Sequence, residues 1–164
     1  GRLLHEQIAK DLAQALLDNP QALVDKVTKT KKKEAQRLPL SLSALQVLAG
    51  KAFGYDPKTV LDTAQKLYER TLTSYPRSDC DYLPTTQYGD RNAIIRNLIH
   101  CGDSDVEGWA RACDLKIKSK CWNDKKITAH HAIIPTTVAA KMDGLSIQER
   151  NIYHLIAQAY LAQF

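Results

Sequence analysis

Leu72-Thr73-Ser74-Tyr75-Pro76-Arg77-Ser78-Asp79 is the stretch on which the reading of this chain turns. A tyrosine stands two residues before an arginine and four before an aspartate, with small hydroxyl residues between them. A phenol becomes a strong nucleophile only when it gives up a proton held with a reference pKa of about 10. A guanidinium nearby is charged at any accessible pH, grips a phosphate with two parallel donors, and stabilises negative charge as it develops. Tyrosine with arginine therefore points to covalent phosphoryl transfer through a phosphotyrosine. The same residues also fit a tyrosine packed at a helix end beside a surface arginine. Spacing alone does not separate these readings, because short patterns recur by accident.

Working outward, the neighbouring helices are marked by their caps. Asp56-Pro57 places an N-cap before a proline at the first helical position. Val60, Leu61, Ala64, Leu67 and Tyr68 then share one face of a helix predicted to run to about Arg70, directly before the tyrosine motif. Upstream, Ser43 with Gln46 reads as a capping box opening a helix to Phe53, closed by Gly54. Downstream, Ile94, Ile95, Leu98 and Ile99 predict a helix from Thr86 to Cys101, stopped by Gly102. Asp103 or Ser104 starts a shorter one to Ala112, and Ser146 with Glu149 opens the last. At the N-terminal end, Leu4, Ile8, Leu12 and Leu16 recur at helical spacing until Asn19-Pro20, and Ala22 to Thr30 alternates as a short strand does. Lys29-Thr30-Lys31-Lys32-Lys33-Glu34 has no apolar face and reads as a solvated strand end or linker. Other strand signals are confined to Leu72–Ser74, Leu115–Lys118 and Ile133-Ile134. The predicted fold is mainly α with minor β.

The 164 residues are enough for one good-sized core. Twenty-three Lys and Arg against 18 Asp and Glu give a net charge of +5, a modest excess that suits a polyanionic partner without demanding one. Cys80, Cys101, Cys113 and Cys121 form no CxxC pair and no zinc-knuckle spacing, and no signal peptide precedes them, so they read as free thiols in a reducing cytosol. No apolar run approaches the roughly 18 residues of a membrane span. Because the chain starts at Gly1 and stops at Phe164 within an uncapped apolar pattern, it is expected to be part of a longer protein.

Three further stretches accompany the tyrosine motif in order. Pro39-Leu40-Ser41-Leu42-Ser43-Ala44-Leu45-Gln46 and Ala64-Gln65-Lys66-Leu67-Tyr68-Glu69 precede it, and Thr128-Ala129-His130-His131-Ala132-Ile133-Ile134-Pro135-Thr136 follows. This ordered set resembles the type IA DNA topoisomerases and is most similar to their bacterial topoisomerase III subfamily. The resemblance covers the chain from about Leu38 to Phe164 and continues more weakly upstream.

The resemblance implies a catalytic-tyrosine domain over 38–164, with a helix-turn-helix arrangement related to the catabolite activator fold. Residues 1–37 would then be a remnant of the arch or hinge leading into it. It implies that Tyr75 attacks a single-stranded DNA phosphodiester and retains the 5′-phosphate, so that a strand is passed and the break is religated without ATP. Arg77 matches the arginine that contacts the scissile phosphate. Ser74 stands where many relatives have threonine and is expected either to donate to a phosphate oxygen or to pack the loop. Asp79 is expected to hold the arginine or the loop. His130 matches the histidine that reaches the active site and contacts DNA phosphate. His131 replaces a glutamate of many topoisomerase I relatives, which favours topoisomerase III and leaves its own role open. The family's Mg²⁺ is held by a glutamate-and-aspartate domain N-terminal to these motifs. No such cluster is present here, so the chain is expected to be incompetent alone and to need that domain and single-stranded DNA as partners. A cytoplasmic, nucleoid-associated setting follows from the same resemblance.

Adjacent histidines point their side chains apart, which argues against a metal site at His130-His131. Trp109 reads as core, while Trp122, among basic neighbours, reads equally as core or as a base-stacking platform. Tyr68, Tyr82, Tyr88, Tyr153 and Tyr160 read as core or interface residues. The rival function is a non-catalytic helix-turn-helix DNA-binding module, which has no reason to carry both the tyrosine-arginine pair and the histidine motif. A tyrosine recombinase or type IB enzyme would need several arginines around the tyrosine, and that constellation is absent.

Overall fold

The structure, a computed structural model, describes residues 4–32 and 34–164. Lys33 of the lysine run, and residues 1–3 of the expected leading segment, lie outside the described residues. The chain divides into two compact units, Gly1–Glu34 and Ala35–Phe164.

The first unit contains one helix, α1 (Glu6–Asp18), with Asn19 as its C-cap. Its Glu6–Lys10 ion pair and the Gln7–Asp11 and Gln14–Asp18 hydrogen bonds link residues one turn apart. The apolar face expected from Leu4, Ile8, Leu12 and Leu16 is present and exposed. The strand expected over Ala22 to Thr30 does not form: residues 19–32 have no regular structure, and Leu23, Val24 and Val27 are exposed. Alternating side chains make a strand only when a second strand satisfies the backbone groups, and among the described residues none pairs with this segment.

The second unit is built from five helices: α2 (Leu42–Phe53), α3 (Pro57–Glu69), α4 (Arg91–Leu98), α5 (Ser104–Ala112) and α6 (Ile147–Leu161). The expected mainly helical fold with little sheet is what the structure shows. α6 is the hub, packing against α2, α3 and α5. Its sequence permits this because Ile152, Tyr153, Leu155, Ile156, Ala157, Tyr160 and Leu161 are all buried, which leaves little of its circumference polar. Each large apolar side chain sunk here contributes about 1.5–3 kcal/mol. At its start, Ser146 and Glu149 form the predicted capping box: the Glu149 amide donates to the Ser146 hydroxyl, and the Ser146 amide to the Glu149 carboxylate.

α2 and α3 follow each other across the three-residue turn Gly54–Asp56, a connection length suited to a helix-turn-helix pair. Gly54 adopts φ 71°, the left-handed conformation that makes glycine the favoured residue after a helix. Asp56 caps α3 by accepting from the Lys58 and Thr59 amides. α2, however, begins two residues before the predicted position. Ser41 is its N-cap, and Gln46 reaches sideways to the Pro57 carbonyl instead of closing a box on Ser43. Ser41 wins because its own amide is held by the Asp81 carboxylate at 2.9 Å and the next amide, of Leu42, by the Ser78 carbonyl at 2.8 Å. Tertiary bonds to the tyrosine motif thus set where the helix starts.

Two other expectations need correction. The single helix expected over Thr86 to Cys101 is a 3₁₀ turn, Thr85–Asp90, followed by the short α4. Leu115–Lys118 is irregular, not a strand, because side chains satisfy its carbonyls: Tyr88 donates to Leu115 and Ile117, and Arg91 donates to Leu115. Sheet is reduced to isolated bridges, Leu40 with Ile133 and Thr73 with Pro135 antiparallel, and Leu83 with Trp122 parallel. Gln36 and Arg37, read from sequence as the end of the leading segment, are tied to the end of α6: Gln36 donates to the Ala162 carbonyl, and Gln163 donates to that of Arg37. Among the described residues, no helix is long and apolar enough to cross a membrane.

Candidate active site

The tyrosine loop begins where α3 stops. The Leu72 amide bonds back to the Leu67 carbonyl at 2.9 Å and the Thr71 amide to that of Tyr68 at 2.8 Å, the paired closure of a Schellman motif. Thr71 takes the left-handed position with φ 60°, an unusual and strained role for a β-branched residue. Arg70, the last residue before it, is anchored by the Glu149 carboxylate and the Gly144 carbonyl, each at 3.2 Å. The chain therefore leaves α3 in a fixed direction.

The loop is then stitched to the histidine segment. Thr136 donates its amide to Leu72, and Ser74 donates its amide to Ile134 at 2.9 Å. The Ser74 hydroxyl accepts from the Ile134 amide at 2.9 Å and donates to the Ala132 carbonyl at 3.1 Å. On its other side the segment bonds to Leu40 and Tyr82 through the amides of Ile133 and Ala132. Buried Ala132, Ile133 and Ile134 make this pairing part of the core.

This stitching brings together two of the predicted residues that lie far apart in sequence. The Tyr75 and His130 rings lie with centroids 4.5 Å apart at an interplanar angle of 40°. Tyr68 also meets Tyr75 edge-on, at 5.6 Å and 84°. Tyr75 is half-buried, whereas Arg77 and His130 are exposed. Among the described residues Arg77 forms no ion pair with a carboxylate. Asp79 does not reach it either; its carboxylate accepts from the Thr128 hydroxyl at 3.3 Å, which ties the tyrosine loop to the start of the histidine segment. Asp81 is occupied by the Ser41 amide. The buried Ser78 accepts from the Leu42 amide through its carbonyl and from the Cys80 amide through its hydroxyl.

His131 turns away from this cluster. Its Nδ1 donates to the Ala132 carbonyl at 2.8 Å and its Nε2 accepts from the Gln87 side-chain amide at 2.9 Å, a bracing role that needs no ligand. Beside Tyr75, a groove of about 460 Å³ is lined by Tyr68, Glu69, Thr71, Thr73, Ser74 and Thr136.

Other candidates are settled by burial. Trp122 packs against Tyr88, Tyr160 and Phe164 and is 6% exposed, so it offers no face to a base. Trp109 is half-buried with its ring edge-on to His154. Burial pushes the Tyr153 and Tyr160 phenols well above their ordinary value and removes both as nucleophiles. The four cysteines are free, and burial pushes the thiols of Cys101, Cys113 and Cys121 up. Among the described residues, no group of three or more His, Cys, Asp or Glu is placed to hold a metal ion.

Sequence reasoning missed Tyr68 as a neighbour of Tyr75 and Gln87 as the partner of His131. Tyr68 follows the buried Leu67 in the last turn of α3, and that position next to the motif was its available signal. Gln87 gave none, since only the fold carries it to His131.

The family model described as DNA topoisomerase matches residues 1–164. DNA topoisomerase 3 of Haemophilus influenzae is 42% identical over the whole of this chain, and that of Vibrio cholerae is 39% identical over the same extent. DNA topoisomerase 3 of Bacillus subtilis is 33% identical over 93% of the chain. The chain spans about a quarter of the length of these relatives, 25%, 25% and 22% respectively. With the whole chain matched and the tyrosine and histidine motifs folded together, this chain belongs to the type IA DNA topoisomerases and resembles their topoisomerase III branch.

Proposed function

We propose that this chain is the catalytic-tyrosine part of an enzyme that cuts one DNA strand, passes another strand through the gap and reseals it without ATP. The Tyr75 oxygen attacks the phosphorus of a single-stranded phosphodiester. A bond from phosphorus to the phenolic oxygen forms, the bond to the 3′ oxygen breaks, the phenolic proton is lost, and the departing oxygen takes up a proton. Attack by that 3′-hydroxyl reverses every change. The covalent link keeps the free energy of the broken bond, so no nucleotide cofactor is required.

Arg77 is the phosphate ligand in this reading. It is exposed beside the nucleophile and unpaired with any carboxylate among the described residues, so its fork is free to grip the scissile group. His130, against the Tyr75 ring, supplies a second contact to phosphate. Ser74 and Asp79 support the site from within the loop through Ala132, Ile134 and Thr128. The Tyr75–His130 contact is the observation that carries the proposal, because a plain DNA-binding helix pair has no use for it.

The residues present do not fit Mg²⁺. Asp79 and Asp81 are spent on Thr128 and Ser41, and no acidic cluster accompanies them among the described residues. Mg²⁺ is therefore assigned to another part of the protein, and the 164-residue chain alone is expected to bind single strands weakly without cutting them. The test incubates the full-length protein, its Tyr75→Phe variant and the isolated chain with Mg²⁺ and a labelled oligonucleotide, then resolves covalent adducts on a denaturing gel. Adduct is expected from the unaltered full-length protein only. Adduct from the Phe variant refutes the nucleophile, and adduct from the isolated chain refutes the division of labour.

A further inference from the structure

Between α5 and the histidine segment, residues 113–127 carry Lys116, Lys118, Lys120, Lys125 and Lys126, all exposed. Two carboxylates share the segment, and both are engaged. Asp114 accepts from the Lys116 amide, and Asp124 accepts from the Thr85 amide and hydroxyl, which hold its carboxyl below the usual range with a smaller contribution from Lys118. Asp90, exposed at the head of α4, precedes Arg91 in the chain.

Two cations are held against one ring here. The Arg91 guanidinium carbon lies 4.0 Å and the Lys118 ammonium 5.1 Å from the centroid of Tyr88. They are therefore at most about 9 Å apart, and neither pairs with a carboxylate among the described residues. Like charges repel at this range, and the fold fixes the arrangement by spending Arg91 on the Tyr88 and Leu115 carbonyls. Such a pair is stabilised by an anion.

The segment that carries the patch leads along the chain into the tyrosine site. Lys118 lies within electrostatic reach of Asp124, which opens the turn Asp124–Lys126. The Lys126 carbonyl accepts from the Cys80 thiol of the tyrosine motif at 3.5 Å, Thr128 bonds Asp79, and His130 touches Tyr75. Four residues of chain from Lys126 to His130 span at most about 14 Å.

Building on the function proposed above, we propose that Arg91, Lys118, Lys125 and Lys126, flanked by Lys116 and Lys120, form a phosphate track that holds the single strand leading away from the break. Lysines act as point charges toward phosphate and read no base, so the track adds affinity without sequence preference.

The test compares the full-length protein with its Lys118→Gln/Lys125→Gln/Lys126→Gln variant, titrating binding of labelled oligothymidylate against salt. Two lengths are used, about 3 and about 20 nucleotides, below and above the roughly 4–16 nucleotides of single-strand sites. On the longer strand the slope of log affinity against log salt should fall by about 2, since three contacts at about 0.7 each are lost. The short strand, confined to the tyrosine site, should bind both proteins alike. An unchanged slope on the longer strand overturns the track, as does displacement of DNA by poly-glutamate at equal charge, which would mark an acidic protein surface as the occupant. Adduct is scored in the same samples: adduct with an unchanged slope removes the track alone, whereas the expected slope change without any adduct removes the catalytic reading and leaves the track standing.

Discussion

Replacing Ser74 by alanine removes a hydroxyl that makes two hydrogen bonds from the tyrosine loop to the histidine segment. Its hydrogen goes to the Ala132 carbonyl at 3.1 Å, and its oxygen receives the Ile134 amide at 2.9 Å. The first bond is worth about 0.5–1.5 kcal/mol net, and the second loss leaves the amide of Ile134, a residue 5% exposed, without a partner at about 1–3 kcal/mol. The backbone bond from Ser74 to Ile134 survives the change, so a total of about 2–3 kcal/mol is expected. In urea titration of the 164-residue chain this lowers the midpoint by about 1–2 M with the slope unchanged. Ser74→Thr keeps the hydroxyl and should hold most of the stability. Adduct formation by the full-length Ser74→Ala protein should fall as well, because the register that sets His130 against Tyr75 loosens. A midpoint that does not move refutes the clasp. Lost cleavage with an unmoved midpoint would mean that the hydroxyl acts on the phosphate instead.

Two other perturbations separate the roles at the site. Arg77→Lys keeps the charge but not the fork, so cleavage should drop sharply, whereas His130→Ala should drop it by about one to two orders of magnitude, matching about 1.5–3 kcal/mol for a hydrogen bond to a charged group. Near-normal single-turnover cleavage by both variants refutes the assignment. Acid sensitivity should trace in part to Glu149. Burial works to raise its carboxyl, but the Ser146 amide and hydroxyl and then Arg70 outweigh this and hold it below the ordinary 4.5. A carboxyl depressed by folding contributes stability that is complete above the unfolded value and is lost as pH falls through the folded one. Urea midpoints should therefore decline below about pH 4.5, and more shallowly in Glu149→Gln; an equally steep decline in the variant refutes the link.

Much of the helical frame could be read from local signals. Asp56-Pro57, Gly54, Asp103 and the Ser146–Glu149 box act within a single turn of chain, so the sequence contains both halves of each interaction. The order of the tyrosine and histidine motifs was likewise a property of the sequence, and it pointed to the family before any geometry was known. What depended on distant partners could not be read this way. Ser41 outcompeted Ser43 as a cap because Asp81 and Ser78 hold the backbone there. Leu115–Lys118 failed as a strand because Tyr88 and Arg91 took its carbonyls. Ala22–Thr30 had alternation and, among the described residues, no partner.

The site divides along the same line. Sequence alone determined which residues the proposed chemistry can call on, since a nucleophile, a guanidinium and an imidazole are identities that no fold can supply. Only the tertiary structure decided that Tyr75 contacts both Tyr68 and His130, that Asp79 serves Thr128, that His131 braces Gln87, and that Trp122 is sealed in the core. Each of these depends on pairs far apart in the chain, whose distances are set by how α6 gathers the other helices and by the ladder between Ser74 and Ile134.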